Sequence, residues 1–187
     1  MLSYQDLDIS AISMPQIVPN RCQAIGEART RYTLLVLRDP FNLLASRRAK
    51  PVPLSTYPEP ASLLDMWEAY ALEYLGETCH LGKLVRVNYT RWVKHQEYRR
   101  RLSESIGLQF TDRGREIVPR AGDGSSFDLV MFDGRASQMK VMERWKYYAN
   151  DIWFQNAFRH RERLVSLYRR IFPRDDALDS FLRRLKL

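Results

Sequence analysis

Glycine is scarce in this chain: 8 of 187 residues, about 4% where average usage is about 7%. None precedes Gly26. A Walker-type phosphate cradle needs glycines at fixed offsets ahead of a Lys-Ser/Thr pair, because only a backbone without Cβ wraps oxygens that closely. No such run occurs, and neither does G-x-G-x-x-G. Cysteine is scarcer still. Cys22 and Cys79 are too few for a disulfide framework and lack the paired spacing of a zinc site, so both are expected as reduced thiols and no metal is expected. Long apolar runs are missing too: none approaches the ~20 residues that span a bilayer, and the N-terminus has no basic start followed by an apolar stretch. A cytoplasmic protein without a membrane span is expected.

What is present suits a folded domain. Hydrophobic residues make up 45% of the chain and charged residues 28%, a balance that excludes whole-chain disorder, and the length fits a single domain with a proper core. Net charge is +8, so an anionic partner is the first to consider. The charge is segregated. Residues 29–50 hold Arg29, Arg31, Arg38, Arg47, Arg48 and Lys50 against Asp39 alone, and residues 83–101 are similarly basic. Residues 55–79 carry Glu59, Asp65, Glu68, Glu73 and Glu77 with no base. The plain interpretation is that these are solvated faces pairing across the surface.

Along the chain, a short strand or turn is expected around Met1–Tyr4 and a weak helix near Asn20–Ala28. Tyr32–Leu37 is a continuous aliphatic and β-branched run, the pattern of a strand buried on both faces of a parallel sheet. Asp39 then offers an N-cap and Pro40 a first helical residue. Residues 51–60, with four prolines, read as a loop. Leu63, Trp67, Tyr70 and Tyr74 recur at helical spacing, and Leu84–Tyr89 reads as a second strand. Helices are expected over Thr90–Ile106, Met139–Tyr148, Trp153–Phe172 and Asp175–Leu185. Two strands each feeding a helix, with further helices behind, indicate an α/β layer architecture.

The turn at Arg38 carries chemical content. In open α/β sheets, ligands sit beyond the carboxyl ends of the strands, where the next helix offers free N–H groups to an anion. Arg38 leaves that edge with a planar fork suited to phosphate oxygens. Ser46, eight residues on, adds a hydroxyl from the helix, with Asn42 one turn before it on the same face. A purely structural role, Arg38 pairing with a local carboxylate and Ser46 filling a helix position, remains the alternative.

At these residues the sequence resembles the sulfotransferases that use 3′-phosphoadenylyl sulfate (PAPS). In that family a strand ending in Arg, often Arg-Asp-Pro, with a Ser eight residues later holds the 3′-phosphate of the nucleotide. Tyr32-Thr-Leu-Leu-Val-Leu-Arg38-Asp39-Pro40 through Ser46 matches in spacing and element order. The resemblance implies that Arg38 and Ser46 bind the 3′-phosphate and that Tyr89, at the end of the second strand, lies near the adenine. It also places Ser125, Ser126 and Arg144 near the nucleotide, because Gly124–Phe127 and Glu143–Lys146 look like the family's C-terminal loop and its basic-aromatic segment. The resemblance spans about residues 1–175. It implies a three-layer, P-loop-NTPase-like parallel sheet flanked by helices, with a helix-rich C-terminal part and the first βα unit missing, so that the chain is one domain, either truncated or degenerate.

Three departures from the family pattern stand out. Tyr89 is followed by Thr90 and Arg91 rather than two acids. The Arg-Lys-Gly triplet that closes over the 3′-phosphate is absent, which leaves Arg135, Lys140 or Arg144 as substitutes. The loop that holds the 5′-phosphosulfate has no counterpart. The implied activity is transfer of a sulfuryl group from PAPS to an unknown hydroxyl or amine acceptor, a reaction of positioning and charge stabilisation. None of His80, His95 and His160 is assigned as its base. The competing interpretation is a non-enzymatic basic module for nucleic acid or an acidic protein. Arg91-Trp92 and Arg144-Trp145-Lys146-Tyr147 support it, while the absence of recognised nucleic-acid motifs opposes it.

Overall fold

The computed structural model describes residues 8–12, 30–49, 60–119, 124–125 and 127–187. The expected strand or turn around Met1–Tyr4, the helix near Asn20–Ala28, Cys22, Ser126 and nearly all of the proline-rich loop lie outside the described residues.

Strands β1 (Thr33–Leu37) and β2 (Leu84–Asn88) pair in parallel, in register from Thr33 opposite Leu84 to Leu37 opposite Asn88. The described sheet has these two strands. Helices form around them: α1 (Ile9–Ile12), α2 (Pro40–Ala49), α3 (Pro60–Leu75), α4 (Tyr89–Lys94), α5 (Gln96–Ser105), α6 (Ile152–Phe158), α7 (Glu162–Ile171) and α8 (Asp176–Arg184), with 3₁₀ turns at Ala136–Gln138 and Arg144–Tyr148. The architecture is α/β and helix-rich.

The core lies on one side of the sheet, and that corrects the expectation for β1. Leu35 and Leu37 point inward, whereas Leu34 and Val36 face out, Val36 with 56% of its surface exposed. An unbroken apolar run supplies the composition of a doubly buried strand, but only a second layer of side chains can bury its other face. On the covered face, Leu37 joins Phe41 and Leu44 of α2, Leu64 and Trp67 of α3, and an aromatic cluster from the C-terminal helices. Phe41 meets Phe158 at 4.5 Å between ring centres and Tyr168 edge-on at 5.2 Å.

Helix boundaries differ from expectation where side chains intervene. The single helix expected over Thr90–Ile106 breaks at His95, because Arg99 turns back and donates from Nη1 to the carbonyl of Trp92 at 2.6 Å. A guanidinium thereby satisfies a helix-end carbonyl that the next turn would have used. The helix expected over Trp153–Phe172 breaks at His160, which sits at φ 62°, the left-handed region that ends helices. The stretch expected as a helix over Met139–Tyr148 is turn and 3₁₀ structure.

The segregated charges find their partners. Asp65 and Glu68 of α3 take Arg161, and Glu77 takes Arg170 of α7. The acidic segment is thus matched by the arginines of the C-terminal helices. Glu73, buried at the end of α3, accepts from Thr78 Oγ1 at 2.6 Å, His80 N at 3.0 Å and Leu81 N at 2.8 Å. Burial pushes its pKa upward, but these three donors outweigh that effect and hold the carboxylate below its ordinary range.

Candidate functional site

The polypeptide leaves β1 at Arg38 and re-enters helical geometry at once. Asp39 caps α2 by accepting the Asn42 N–H at 2.8 Å, and Pro40 occupies the first helical position, where the missing N–H costs nothing. The Trp67 indole donates to the Arg38 carbonyl at 2.8 Å and fixes the strand end against α3. Two turns of α2 then bring Ser46 back beside Arg38, whose Nη1 donates to Ser46 Oγ at 2.8 Å while Nη2 donates to the Val141 carbonyl at 3.0 Å. Arg38 Nε is buried with no hydrogen-bond partner.

A second guanidinium arrives from the far end of the sequence. The 3₁₀ turn Arg144–Tyr148 is tied to α2 by Asn42, which donates from Nδ2 to the Met142 carbonyl at 3.1 Å and accepts the Trp145 N–H at 3.2 Å. Arg144, only 6% exposed, donates from Nη1 to the same Ser46 Oγ at 3.2 Å and from Nη2 to Ser125 Oγ at 2.5 Å, with Asp128 Oδ2 at 3.4 Å. Ser125 is presented by a tight loop closed through paired bonds with Leu129, each 2.9 Å. Gly124 enters that loop at φ +74°, where a Cβ would lie 2.6 Å from the Leu129 carbonyl oxygen. Only glycine fits there.

Aromatic faces cover both cations. The Arg38 guanidinium lies 5.3 Å from the Tyr89 ring centre and that of Arg144 lies 4.9 Å from Phe127, each within cation–π range. Tyr89 in turn stacks on Trp92 at 6.3 Å.

Of the residues singled out in the sequence, Arg38, Ser46, Tyr89, Ser125 and Arg144 therefore converge on one locus at the carboxyl end of β1, and Ser126 lies outside the described residues. Among the three basic residues considered as substitutes for the missing triplet, Arg144 is the one at this locus. Arg135 lies over its own neighbour Phe132, and Lys140 is exposed. Asn42 tethers the 3₁₀ turn instead of offering itself beside Ser46. His80, His95 and His160 are all exposed, and none makes a described contact with the locus. The Arg-Trp segment at 144–145 is buried and so is closed to base stacking. Two contributors had no sequence signal: the Val141 carbonyl, which is backbone, and Asp128, which is one acid among 22.

Two guanidiniums and two carboxylates, Asp39 and Asp128, meet at the locus. Burial and then the neighbouring Arg38 push the Arg144 pKa below the usual arginine value, with Asp128 opposing them. Asp39, the other nearby acid, spends its oxygens on Asn42, and burial raises its pKa despite Arg38. Two guanidiniums, two hydroxyls and one unpaired buried N–H on a shared locus match the donor set of a tetrahedral oxyanion.

No family model, no curated protein and no solved structure matches this chain. Among the described residues there is no cluster of three or more His, Cys, Asp and Glu suited to a metal, and no helix is long and apolar enough to cross a membrane.

Proposed function

We propose that the Arg38–Ser46–Arg144–Ser125 locus binds the 3′-phosphate of an adenine nucleotide, PAPS or its bisphosphate product, and that the chain is a sulfotransferase-like domain. The observation that carries this reading is the convergence of the Arg38 and Arg144 guanidiniums on one serine oxygen, at 2.8 and 3.2 Å. Like charges held this close favour an anion between them. Arg38 Nε supplies a donor that lacks an acceptor. The locus lies beyond the carboxyl end of a parallel strand, where α/β proteins bind their ligands.

On this reading the two βα units belong to a three-layer, P-loop-like domain, and the residues named here bind and orient the phosphate end of the nucleotide. Tyr89, with its ring against Arg38, borders the base. PAPS supplies the sulfuryl group for a hydroxyl or amine acceptor, and the phosphate anchor contributes by positioning.

Calorimetric titration with adenosine 3′,5′-bisphosphate tests the reading. Micromolar binding is expected, falling at least about tenfold, or about 1.4 kcal/mol, in Arg38→Ala and equally for adenosine 5′-monophosphate, which lacks the 3′-phosphate. No binding of the bisphosphate by the wild-type chain, together with salt-sensitive retention of an oligonucleotide, would sink it in favour of a basic binding module.

A further inference from the structure

The hydrogens of the two-arginine locus do not all find acceptors, and one acceptor there depends on a donor that a ligand would take. Ser46 Oγ accepts from Arg38 Nη1 at 2.8 Å and from Arg144 Nη1 at 3.2 Å, which uses both of its lone pairs. Its own proton has no acceptor among the described residues, and neither has the buried Arg38 Nε–H. Ser125 is placed differently. Its Oγ accepts from Arg144 Nη2 at 2.5 Å and donates its proton to Asp128 Oδ2 at 3.1 Å, an oxygen that also lies 3.4 Å from Arg144 Nη2. The Asp128 side chain is 27% exposed against 8% for Arg144, so of the two it is the one nearer solvent.

An oxyanion held here meets donors in the Ser46 hydroxyl, the Arg38 Nε–H and the two guanidiniums. It also meets an acceptor. Once its oxygens take the hydrogens of Ser125 and Arg144, Asp128 Oδ2 loses its own donors while staying within hydrogen-bond reach of both groups that hold the ligand. Asp39 is not in that position, because its oxygens are occupied by Asn42 N at 2.8 Å and Nδ2 at 3.0 and 3.1 Å. An ionised carboxylate only accepts, so a ligand oxygen without a proton beside Asp128 is repelled, and one with a proton makes a strong, charge-assisted bond. Shape does not separate phosphate from sulfate, since both are tetrahedral; the proton does. At pH 7 inorganic phosphate keeps at least one proton and sulfate has none. A phosphate monoester, with a second pKa near 6, is protonated in about a tenth of molecules at that pH.

We propose that Asp128 makes the locus selective for oxyanions that carry a proton, phosphate and its monoesters, over sulfate and sulfuryl groups. The proposal rests on the reading of the locus as an oxyanion site and gives that site a specificity. PAPS presents two kinds of oxyanion, a 3′-phosphate and a sulfuryl group. An acceptor at this position admits the first and turns the second away. For the nucleotide, the roughly tenfold cost of taking up a proton at pH 7 is offset by the bond that the proton makes to Asp128.

The test compares sodium phosphate with sodium sulfate as ligands of the full chain, at pH 7 and equal ionic strength, read as concentration-dependent shifts in Tm. Both salts also stabilise proteins by exclusion from the surface, so Arg38→Ala supplies the background to subtract. Phosphate is expected to bind at least about tenfold more tightly than sulfate, the size of one charged hydrogen bond. Asp128→Asn, whose amide donates as well as accepts, is expected to bring the two ions within about twofold by strengthening sulfate. Equal affinity for the two ions in the wild type overturns the proposal without any variant having to fold, and so does a phosphate preference that survives in Asp128→Asn. If adenosine 3′,5′-bisphosphate binds while the ions are not distinguished, the proposal falls and the nucleotide reading stands. If phosphate is preferred through Asp128 but the bisphosphate binds no better than phosphate, the nucleotide reading falls and the proposal stands. Shifts no larger than the Arg38→Ala background with both phosphate and bisphosphate remove the two together.

Discussion

Replacing Arg38 with methionine separates a functional role for this residue from a structural one. The nearest guanidinium nitrogens of Arg38 and Arg144 share an acceptor at 2.8 and 3.2 Å, so they are at most about 6 Å apart, and at an effective dielectric constant near 20 their repulsion is about 3 kcal/mol. The substitution removes that repulsion together with the buried, unpaired Nε, which is worth a further ~1 kcal/mol or more. It also removes two charged-donor hydrogen bonds, to Ser46 and Val141, of about 1.5–3 kcal/mol each. Methionine keeps the length of the stem and its packing. These contributions nearly cancel, so the ligand-free variant should unfold within about 2 kcal/mol of the wild type, or about 5 °C in Tm. With a ligand the two should diverge. Bisphosphate at about 100 times its Kd adds about 2.7 kcal/mol to the native state, raising the wild-type Tm by roughly 5–10 °C; a variant that binds about tenfold more weakly gains about 1.4 kcal/mol or less at the same concentration, and so at most about half that shift. Thermal melts followed by circular dichroism, with and without the nucleotide, read both quantities. A variant that is unfolded at room temperature makes Arg38 a structural residue, and a bisphosphate shift of equal size in both proteins places the phosphate elsewhere; either result refutes the reasoning.

Three further outcomes are expected. Ser46→Ala removes the acceptor shared by both arginines and a hydroxyl donor, and should lower bisphosphate affinity by about five- to tenfold in calorimetry, the value of one hydrogen bond near 1–1.4 kcal/mol. Gly124→Ala forces a Cβ to within 2.6 Å of the Leu129 carbonyl at φ +74° and should cost about 1–3 kcal/mol in denaturant melts, with weaker nucleotide binding because Ser125 rides on that loop; full retention of both would contradict the loop geometry. Glu73→Gln should destabilise the protein by about 2 kcal/mol at neutral pH. Because the folded carboxylate is held below the ordinary value of 4.5, its contribution is present above that pH and lost as pH falls through the lower folded value. The gap between wild type and variant should therefore narrow in acid, and a gap constant down to acid unfolding would deny the hydrogen bonds their role.

The locus was more legible in the sequence than the fold around it. The Arg38 to Ser46 spacing is a local property, set by a strand end, a cap and two helical turns, and such geometry is written in consecutive residues. Arg144 and Ser125 were found by resemblance to a family pattern; no local rule would bring them across about a hundred residues to Ser46. The misplaced boundaries share a cause. Helix α4 stops because the Arg99 side chain reaches the Trp92 carbonyl, and β1 shows one face because no described element covers its other side. Periodicity within a segment carries neither fact. Asn42 is the clearest case of a residue whose place is legible and whose partners are not: its position beside Ser46 is set within one helix, whereas its bonds to Met142 and Trp145 depend on a segment far along the chain.

That long reach has a kinetic consequence. Arg38 and Val141 are 103 residues apart in the chain, and Ser46 and Arg144 are 98 apart, so these bonds require large loops to close before they contribute anything. The backbone hydrogen bonds inside helices α6 to α8 and at the β1–α2 corner need no such closure, whereas the core contact of Phe41 with Phe158 shares it. The two-arginine locus therefore assembles no earlier than the core that brings these segments together. Contacts that form after the folding barrier leave the folding rate nearly unchanged and act on the unfolding rate. An anion held between Arg38 and Arg144 would prolong the life of the native state without hastening its arrival, and protection from proteolysis would track how long the ligand stays bound.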